Sequence, residues 1–469
     1  MSKRASFILL ILVLGLSLSL TDSIALTQTQ GIKTIEPIRK DDRILILAPH
    51  PDDETIACAG IIQQAVKTGA KVRVAYLTNG DHNEIAFIVY EKRLTLKQSE
   101  FIHMGEVRRR EATKAMKLLG LNEGDLIFLG YPDFGTFTIF SQFWQATRPF
   151  KSFLTRISSV PYKENLSFGA PYNGDSILSD IERVLLEYKP NKIFVSHPAD
   201  TNVDHRSLYL FLQVALRDLN KELPEPSVYP YLIHSVGWPL PRRYHPELSL
   251  MPPKQFSDSQ INWLESILSP EQLDKKHQAI LCYKSQTESS AFYLLSFARK
   301  NELFGDYPEV TLSRQMSLKE KAVSFFGFSD MYDDSDIDAL MGLDQLVETK
   351  GQVSYAVVDD FLLIRVEKTK ELSKKFNAIF YLFGHSYKTP FADMPKIRII
   401  TKNNKFKVFN ARSMIKHPEG VSLDLDSKVL IIKVPLQLLG NPDFILSSIK
   451  AHRGILPIDA SGFRKLEIQ

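Results

Sequence analysis

Residues 43–81 read RILILAPHPDDETIACAGIIQQAVKTGAKVRVAYLTNGD. RILILAPH (43–50) is a short apolar run closed by Pro49, the pattern of a strand buried on both faces. ETIACAGIIQQAVKTG (54–69) repeats its apolar residues at helical spacing and stops at Gly69. KVRVAYLTNGD (71–81) predicts a second strand, so the stretch is a βαβ unit whose two strands run parallel. The pattern continues outward. A helix is predicted over EVRRREATKAMKLLGL, a strand at DLIFLGYPD (125–133), a helix at SILSDIERVLLEY (176–188) and a strand at KIFVSHP (192–198). These alternations imply an α/β fold with a doubly wound, mostly parallel sheet covered on both faces. Ligands of such sheets lie beyond the carboxyl ends of the strands, where His50, Asp81, Asp133 and His197 fall.

The rest of the chain is organised around that sheet. Between Phe134 and Gly174 the periodicity lapses into an aromatic-rich stretch, FGTFTIFSQFWQATRPF, read as a loop that walls or covers the site. SPEQLDKKHQAILCYKSQ (269–286) places Ser269 as an N-cap and Pro270 at the first helical position. The first domain is expected to span residues 40–330, with an acidic linker over 331–344. SDMYDDSDID lacks the glycine and closing glutamate of a calcium loop and reads as solvated chain. From 345 to 469, alternating and β-branched runs separated by Asn, Gly, Pro and Asp turns predict an all-β, sandwich-like domain. Its Tyr381, Phe383 and Tyr387 are candidates for stacking on sugar rings if exposed.

Composition excludes several classes. At 469 residues with 44% hydrophobic side chains, the chain is too apolar for a disordered protein and long enough for two or three domains. A net charge of +4 gives no case for nucleic acid. Cys58 and Cys282 are too few for a disulfide framework and form no CxxC pair. Lys3 and Arg4 precede the apolar run FILLILVLGLSLSL, and Ser23–Ala25 offers small residues for cleavage. Residues 1–25 therefore read as a signal peptide or an uncleaved membrane anchor, and the body of the protein is expected to be exported.

The chemistry concentrates in APHPDDE (48–54). Carboxylates at a helix start are ordinary, because free amides and the helix dipole favour anions. Capping needs one carboxylate, whereas here three adjoin a histidine. His50 and Asp53, three positions apart, can reach one divalent cation, while Asp52 stays free as a base. A third ligand must come from elsewhere, and ADTNVDHRSLYLF places Asp204 and His205 at another helix start beyond another strand end. A shared cation requires the imidazoles of His50 and His205 to lie within about 6 Å of each other.

PHPDDE, DTNVDHR, the RRREATKAMKLLG helix, LGYPD and YKSQ together resemble the PIG-L/LmbE family of zinc-dependent N-deacetylases, over about residues 43–290. The resemblance implies a Rossmann-like sheet and removal of acetyl from an N-acetylglucosamine-type sugar or glycoconjugate. It implies Zn2+ held by His50, Asp53 and His205, with Asp52 as general base. The family's histidine three positions before the last ligand is Asn202 here. An Asn amide can still donate to an oxyanion, and His197 is the candidate to replace the missing imidazole. The resemblance pairs Arg108 with Glu111 and points to Arg108 and Asp133 as substrate contacts. Lys284, Ser285 and Gln286 match a family helix end with a structural role. The Asn202 change also leaves open a catalytically degenerate carbohydrate-binding protein, and the same zinc chemistry could serve a different N-acyl substrate. Glycan contact by the β domain and membrane contact through the amino-terminal segment complete the expected partners.

Overall fold

The apolar run Ile44–Ala48 is the centre of a sheet in which each parallel neighbour buries a similar run. The structure is a computed structural model and describes residues 32–82, 97–145, 147–256, 261–315, 326–331, 351–368, 376–402, 405–426, 428–453 and 456–469. Residues 1–25, expected to be a signal peptide or anchor, and the expected linker from residue 332 lie outside the described residues. Residues 35–469 form one compact unit.

The α/β part runs β1 (Arg43–Ala48), α1 (Asp53–Thr68), β2 (Lys71–Thr78), α2 (Gln98–Leu119), β3 (Leu126–Tyr131), α3 (Thr136–Gln142) and α4 (Gly174–Tyr188). It continues with β4 (Lys192–Ser196), α5 (Val203–Asp218), β5 (Ser227–Tyr231), β6 (Asn262–Ile267), α6 (Pro270–Ile280), α7 (Lys284–Leu294) and β7 (Asn301–Asp306). The strands lie in the order β6-β7-β5-β4-β1-β2-β3. β5, β4, β1, β2 and β3 are parallel, and β7 and β6 add an antiparallel edge. Strand order reverses at β1, which sits between β2 and β4, and that is where a doubly wound sheet opens its ligand crevice. The expected α/β class therefore holds. Ser269 caps α6 as expected, accepting from Gln272 N, with Pro270 in the first turn.

The aromatic stretch is not a lid. Thr136–Gln142 is helical, and its apolar face turns inward: Phe140 packs edge-on against Phe211 at 4.9 Å and Phe383 at 5.3 Å. Trp144 meets Phe391 at 4.9 Å. Phe134 alone of these positions is a half-exposed wall of the cleft described below.

The C-terminal part is all β, as expected. One sheet contains β9 (Gly351–Val358), β10 (Phe361–Lys368), β15 (Val429–Pro435) and β14 (Ser422–Leu425). The other runs β13 (Lys405–Asn410), β12 (Lys396–Lys402), β11 (Phe376–His385), β16 (Phe444–Arg453), β17 (Arg464–Ile468) and β8 (Val310–Leu312). Alternating residues of the two sheets, among them Val353, Ile364, Ile432, Leu382, Ile399 and Ile449, form a common core. β8 pairs in parallel with β17, so the β region begins at Val310, ahead of the expected boundary at 330. A three-residue strand leaves no readable alternation, which is why the sequence hides it. Phe383 is fully buried and Tyr381 packs on Phe137 and Phe463, so neither offers a ring face to a sugar; Tyr387 is 53% exposed. Among the described residues no helix is long and apolar enough to cross a membrane.

Candidate active site

The carboxyl ends of β1, β3, β4 and β5 converge on a cleft of about 480 Å³ lined by His50, Asp52, Asp53, Arg108, Asp133, Phe134, Asn202, His234, Gln286 and Tyr293. His50 follows β1, and Asp53 begins α1. Asp53 Oδ2 accepts from His50 N at 2.9 Å, lies 3.1 Å from His50 Nδ1 and is 3.2 Å from His205 Nε2. The two imidazole centroids are 5.3 Å apart, within the limit set by the sequence reading. His205, in the first turn of α5, is wholly buried.

Each imidazole is backed by carboxylates. His50 Nε2 faces Asp133 Oδ1 at 3.1 Å and Asp204 Oδ2 at 3.4 Å. His205 Nδ1 faces Asp200 Oδ2 at 3.1 Å. Such partners fix which ring nitrogen points at the common centre, here His50 Nδ1 and His205 Nε2. Asp200 also accepts from the backbone N–H groups of Asn202, Ile233 and His234, tying two loops together. Asp204 accepts from Phe134 N and from Thr136 N and Oγ1, binding the start of α3 to the start of α5.

Asp52, Asp53, Asp133, Asp200 and Asp204 are all buried around two imidazoles and one guanidinium. Buried charge on this scale must be paired or hold a cation. Both ring nitrogens of His205 and Asp133 Oδ1 are buried without an aligned hydrogen bond, although carboxylates or imidazoles stand close by. His50, Asp53 and His205 each present one ligand atom within 4.8 Å of the others, so the donor set fits a divalent cation. Burial alone would lower the His205 pKa, but Asp200 and Asp53 outweigh it and push it up to about 9. Burial would raise Asp53, yet His205 and His50 hold its carboxyl well below the usual range.

Asp52 stands apart electrostatically. Burial raises its pKa to about 7 against the opposing pull of Arg108, whose Nη2 is 3.3 Å from Asp52 Oδ1. Its backbone has φ 131°, a conformation costly for a residue with a Cβ and typical of functional sites. Arg108 also donates to Pro51 O at 2.8 Å and Gly80 O at 3.1 Å, so its fork clamps the motif loop. A Cβ on Gly80 would fall 2.1 Å from Arg108 Nη1, and Gly80 has φ 68°, so both space and backbone require glycine there.

The other sequence-derived positions sort as follows. Asn202 lines the cleft and caps α5, its Oδ1 accepting from Asp204 N at 2.8 Å, so that its amide NH2 is the remaining donor of the side chain. Asp133 lines the cleft with its carboxylate turned to His50 and accepting from His82 N at 3.1 Å. Glu111 reaches Ser285, accepting from its N at 2.9 Å and Oγ at 2.6 Å, so the predicted helix end is tied to α2. His197 does not join the site. It is wholly buried, stacks on Trp263 at 5.8 Å and accepts from Ala199 N at 3.1 Å through Nδ1. Burial holds its pKa down at about 3. Besides His50 and His82, the cleft is lined by the imidazole of His234, 4.7 Å from the His205 ring and lowered by burial to about 4. His234 and Asp200 were missed as site residues. Reading YPYLIH as one more strand with a histidine past its carboxyl end would have found the first.

Residues 45–216 match the family model described as PIG-L, GlcNAc-PI de-N-acetylase. A curated relative from Mycobacterium sp. (strain KMS), 1D-myo-inositol 2-acetamido-2-deoxy-alpha-D-glucopyranoside deacetylase, is 36% identical over 90 residues, covering 19% of this chain and 28% of the relative. The chain thus spans less than a third of the length of that relative. Among solved structures, N,N'-diacetylchitobiose deacetylase from Pyrococcus horikoshii is similar at 17% identity and TM-score 0.36, over 56% of this chain and 84% of that one. The 4-carboxy-2-hydroxymuconate hydratase GalB from Pseudomonas putida KT2440 is similar at 16% identity and TM-score 0.35, over 57% and 97%. The match to the family model over the segment that carries His50, Asp52, Asp53, Asp133, Asn202 and His205 identifies the chain as carrying a PIG-L family domain at residues 45–216.

Proposed function

We propose that the protein is a zinc-dependent N-deacetylase that removes the acetyl group from an N-acetylglucosamine-type sugar or glycoconjugate. The observation that carries this reading is the convergence of His50 Nδ1, Asp53 Oδ2 and His205 Nε2 beside a separate carboxylate, Asp52. Two histidines and one carboxylate suit zinc and leave room for water and substrate. When bound, the ion supplies Lewis acidity, lowering the pKa of water and polarising the acetamide carbonyl.

The chain's own residues supply the rest. Asp52, held near neutrality by burial, accepts the proton of the attacking water. Arg108 keeps that carboxylate in place. As the acetamide oxygen gains charge, the Asn202 amide, fixed by its capping bond, donates to it. Asp52 then returns the proton to the nitrogen as the C–N bond breaks, giving acetate and a free amine. Asp133 and Asp204 hold His50, and Asp200 holds His205, against displacement.

The donor amide at Asn202 supports an active enzyme over a degenerate carbohydrate-binding scaffold. Export is part of the proposal and rests on the sequence of residues 1–25. The test is purified protein with a panel of N-acyl sugars. It should carry about one zinc per chain and release acetate from an N-acetylglucosamine conjugate, with release abolished by chelation. Sugar binding without acetate release in the zinc-loaded protein refutes the hydrolytic reading; release of a different acyl group reassigns the substrate.

A further inference from the structure

The loop Pro198–Asn202, which leads into α5 and carries Asp200, does not rest on the α/β sheet alone. Phe463 N, from the β region, donates to Pro198 O at 3.1 Å. A Cβ on Gly462 would lie 2.5 Å from Tyr307 Oη and 2.8 Å from Ala199 Cβ, so the two backbones approach as closely as glycine permits. Arg464 sits over the Tyr307 ring at 3.6 Å, and Tyr307 meets His197 edge-on at 5.1 Å.

Two further seams join the same parts. At the far end of α5, Asp218 Oδ1 accepts from His385 Nε2 at 2.7 Å, and the buried His385 ring stacks on Phe444 at 4.6 Å. On α3, whose start is bound to Asp204, Phe137 packs on Tyr381 at 5.4 Å and on Phe463 at 5.8 Å. The loop and helices tied to Asp200, Asp204 and His205 are thus each seated on β-region residues, Tyr381, His385 and Phe463, far downstream in the chain.

The geometry points to the β region as the element that positions the metal-binding side chains, with Gly462 a positioning residue for Asp200 and His205. This rests on the zinc-site reading above. Metal–ligand distances tolerate about 0.2 Å. A Cβ at position 462 forces its neighbours to give by several tenths of an ångström, because ordinary contact begins near 3.4 Å.

The experiment measures zinc affinity of the full-length protein by competition with a chromophoric chelator, alongside kcat, KM and thermal unfolding. Gly462→Ala is expected to weaken zinc binding at least tenfold and lower kcat with little change in KM. The triple variant Ala199→Gly, Tyr307→Leu, Gly462→Ala takes away all three close contacts, with Tyr307 Oη, Tyr307 Cζ and Ala199 Cβ, and should bind zinc within threefold of wild type. Val408→Ala, a cavity in the sandwich core, should lower the melting temperature while leaving zinc affinity unchanged. Wild-type affinity in folded Gly462→Ala, or equal weakening in Val408→Ala, overturns the inference. If Gly462→Ala does not fold, Asp218→Asn is measured instead, where threefold or greater weakening supports it and unchanged affinity overturns it. Wild-type protein that takes up no zinc overturns both readings; tight wild-type binding that these variants leave intact overturns this one alone.

Discussion

Replacing Asp52 is expected to stabilise the metal-free protein at neutral and higher pH while sharply lowering turnover of the zinc-loaded protein. Burial lifts this carboxyl from its ordinary 3.8 to about 7, so between those pH values the folded chain holds a proton that the unfolded chain has lost. Stability therefore falls as pH rises through that window, and the loss is complete above pH 7. The rise corresponds to a penalty of up to about 4 kcal/mol. Asp52→Asn mimics the protonated carboxyl. Guanidinium unfolding of chelator-treated protein should show the variant and wild type nearly equal at pH 4. At pH 8 the variant should be more stable by a few kcal/mol. Backbone strain adds a second, independent contribution. At φ 131°, Asp52→Gly should exceed Asp52→Ala in stability by about 1–2 kcal/mol, although glycine is normally the poorer choice. In the zinc-loaded protein, Asp52→Asn should lower kcat by a factor of about 10² to 10⁴. A stability gap that does not widen between pH 4 and pH 8, or turnover that survives the substitution, refutes the assignment of Asp52 as a buried base.

Two other substitutions separate roles that the structure assigns to single side chains. Asn202→Asp keeps an oxygen for capping Asp204 N but replaces the amide donor with a carboxylate. Unfolding should be unchanged within about 1 kcal/mol, while kcat falls by about 10² to 10³, as read from thermal melts and acetate release. Lys396 is buried, donates to Phe391 O and Met394 O, and has its pKa lowered by burial to about 7. Between pH 7 and 10.5 the unfolded chain binds the extra proton, so stability rises with pH. Relative to Lys396→Met, wild type should gain about 3 kcal/mol on going from pH 7 to pH 9.5 in denaturant titrations.

The sequence made the core sheet legible because parallel strands are continuous apolar runs, and RILILA and KIFVS can be little else. The candidate cation site was legible for a related reason. His50 follows a strand end, and Asp53 and His205 open helices beyond strand ends, where polar residues are not needed for packing. Asp133 was placed at the right rim, but its contact with His50, made across two strand ends, is one that spacing does not encode. His197 and His234 show the limit most clearly. Both follow strands, and only the twist of the sheet and the packing of Trp263 decide which ring turns to the cleft. Phe137, Phe140 and Trp144 carried a helical period that was read as loop, because the surface they cover is built from Phe383, Phe391 and Phe463, far downstream.

The parallel pairing of Val310–Leu312 with Arg464–Ile468 closes a sheet with two segments made at very different times. A nascent chain halted before residue 460 already contains the cleft-lining histidines and aspartates, yet lacks Gly462 and Phe463, which brace the Pro198–Asn202 loop. Completion of the contacts around that loop is thus a late event of synthesis. Contacts so distant along the chain slow folding, and truncated fragments ending in the β region are expected to accumulate as immature, protease-sensitive species.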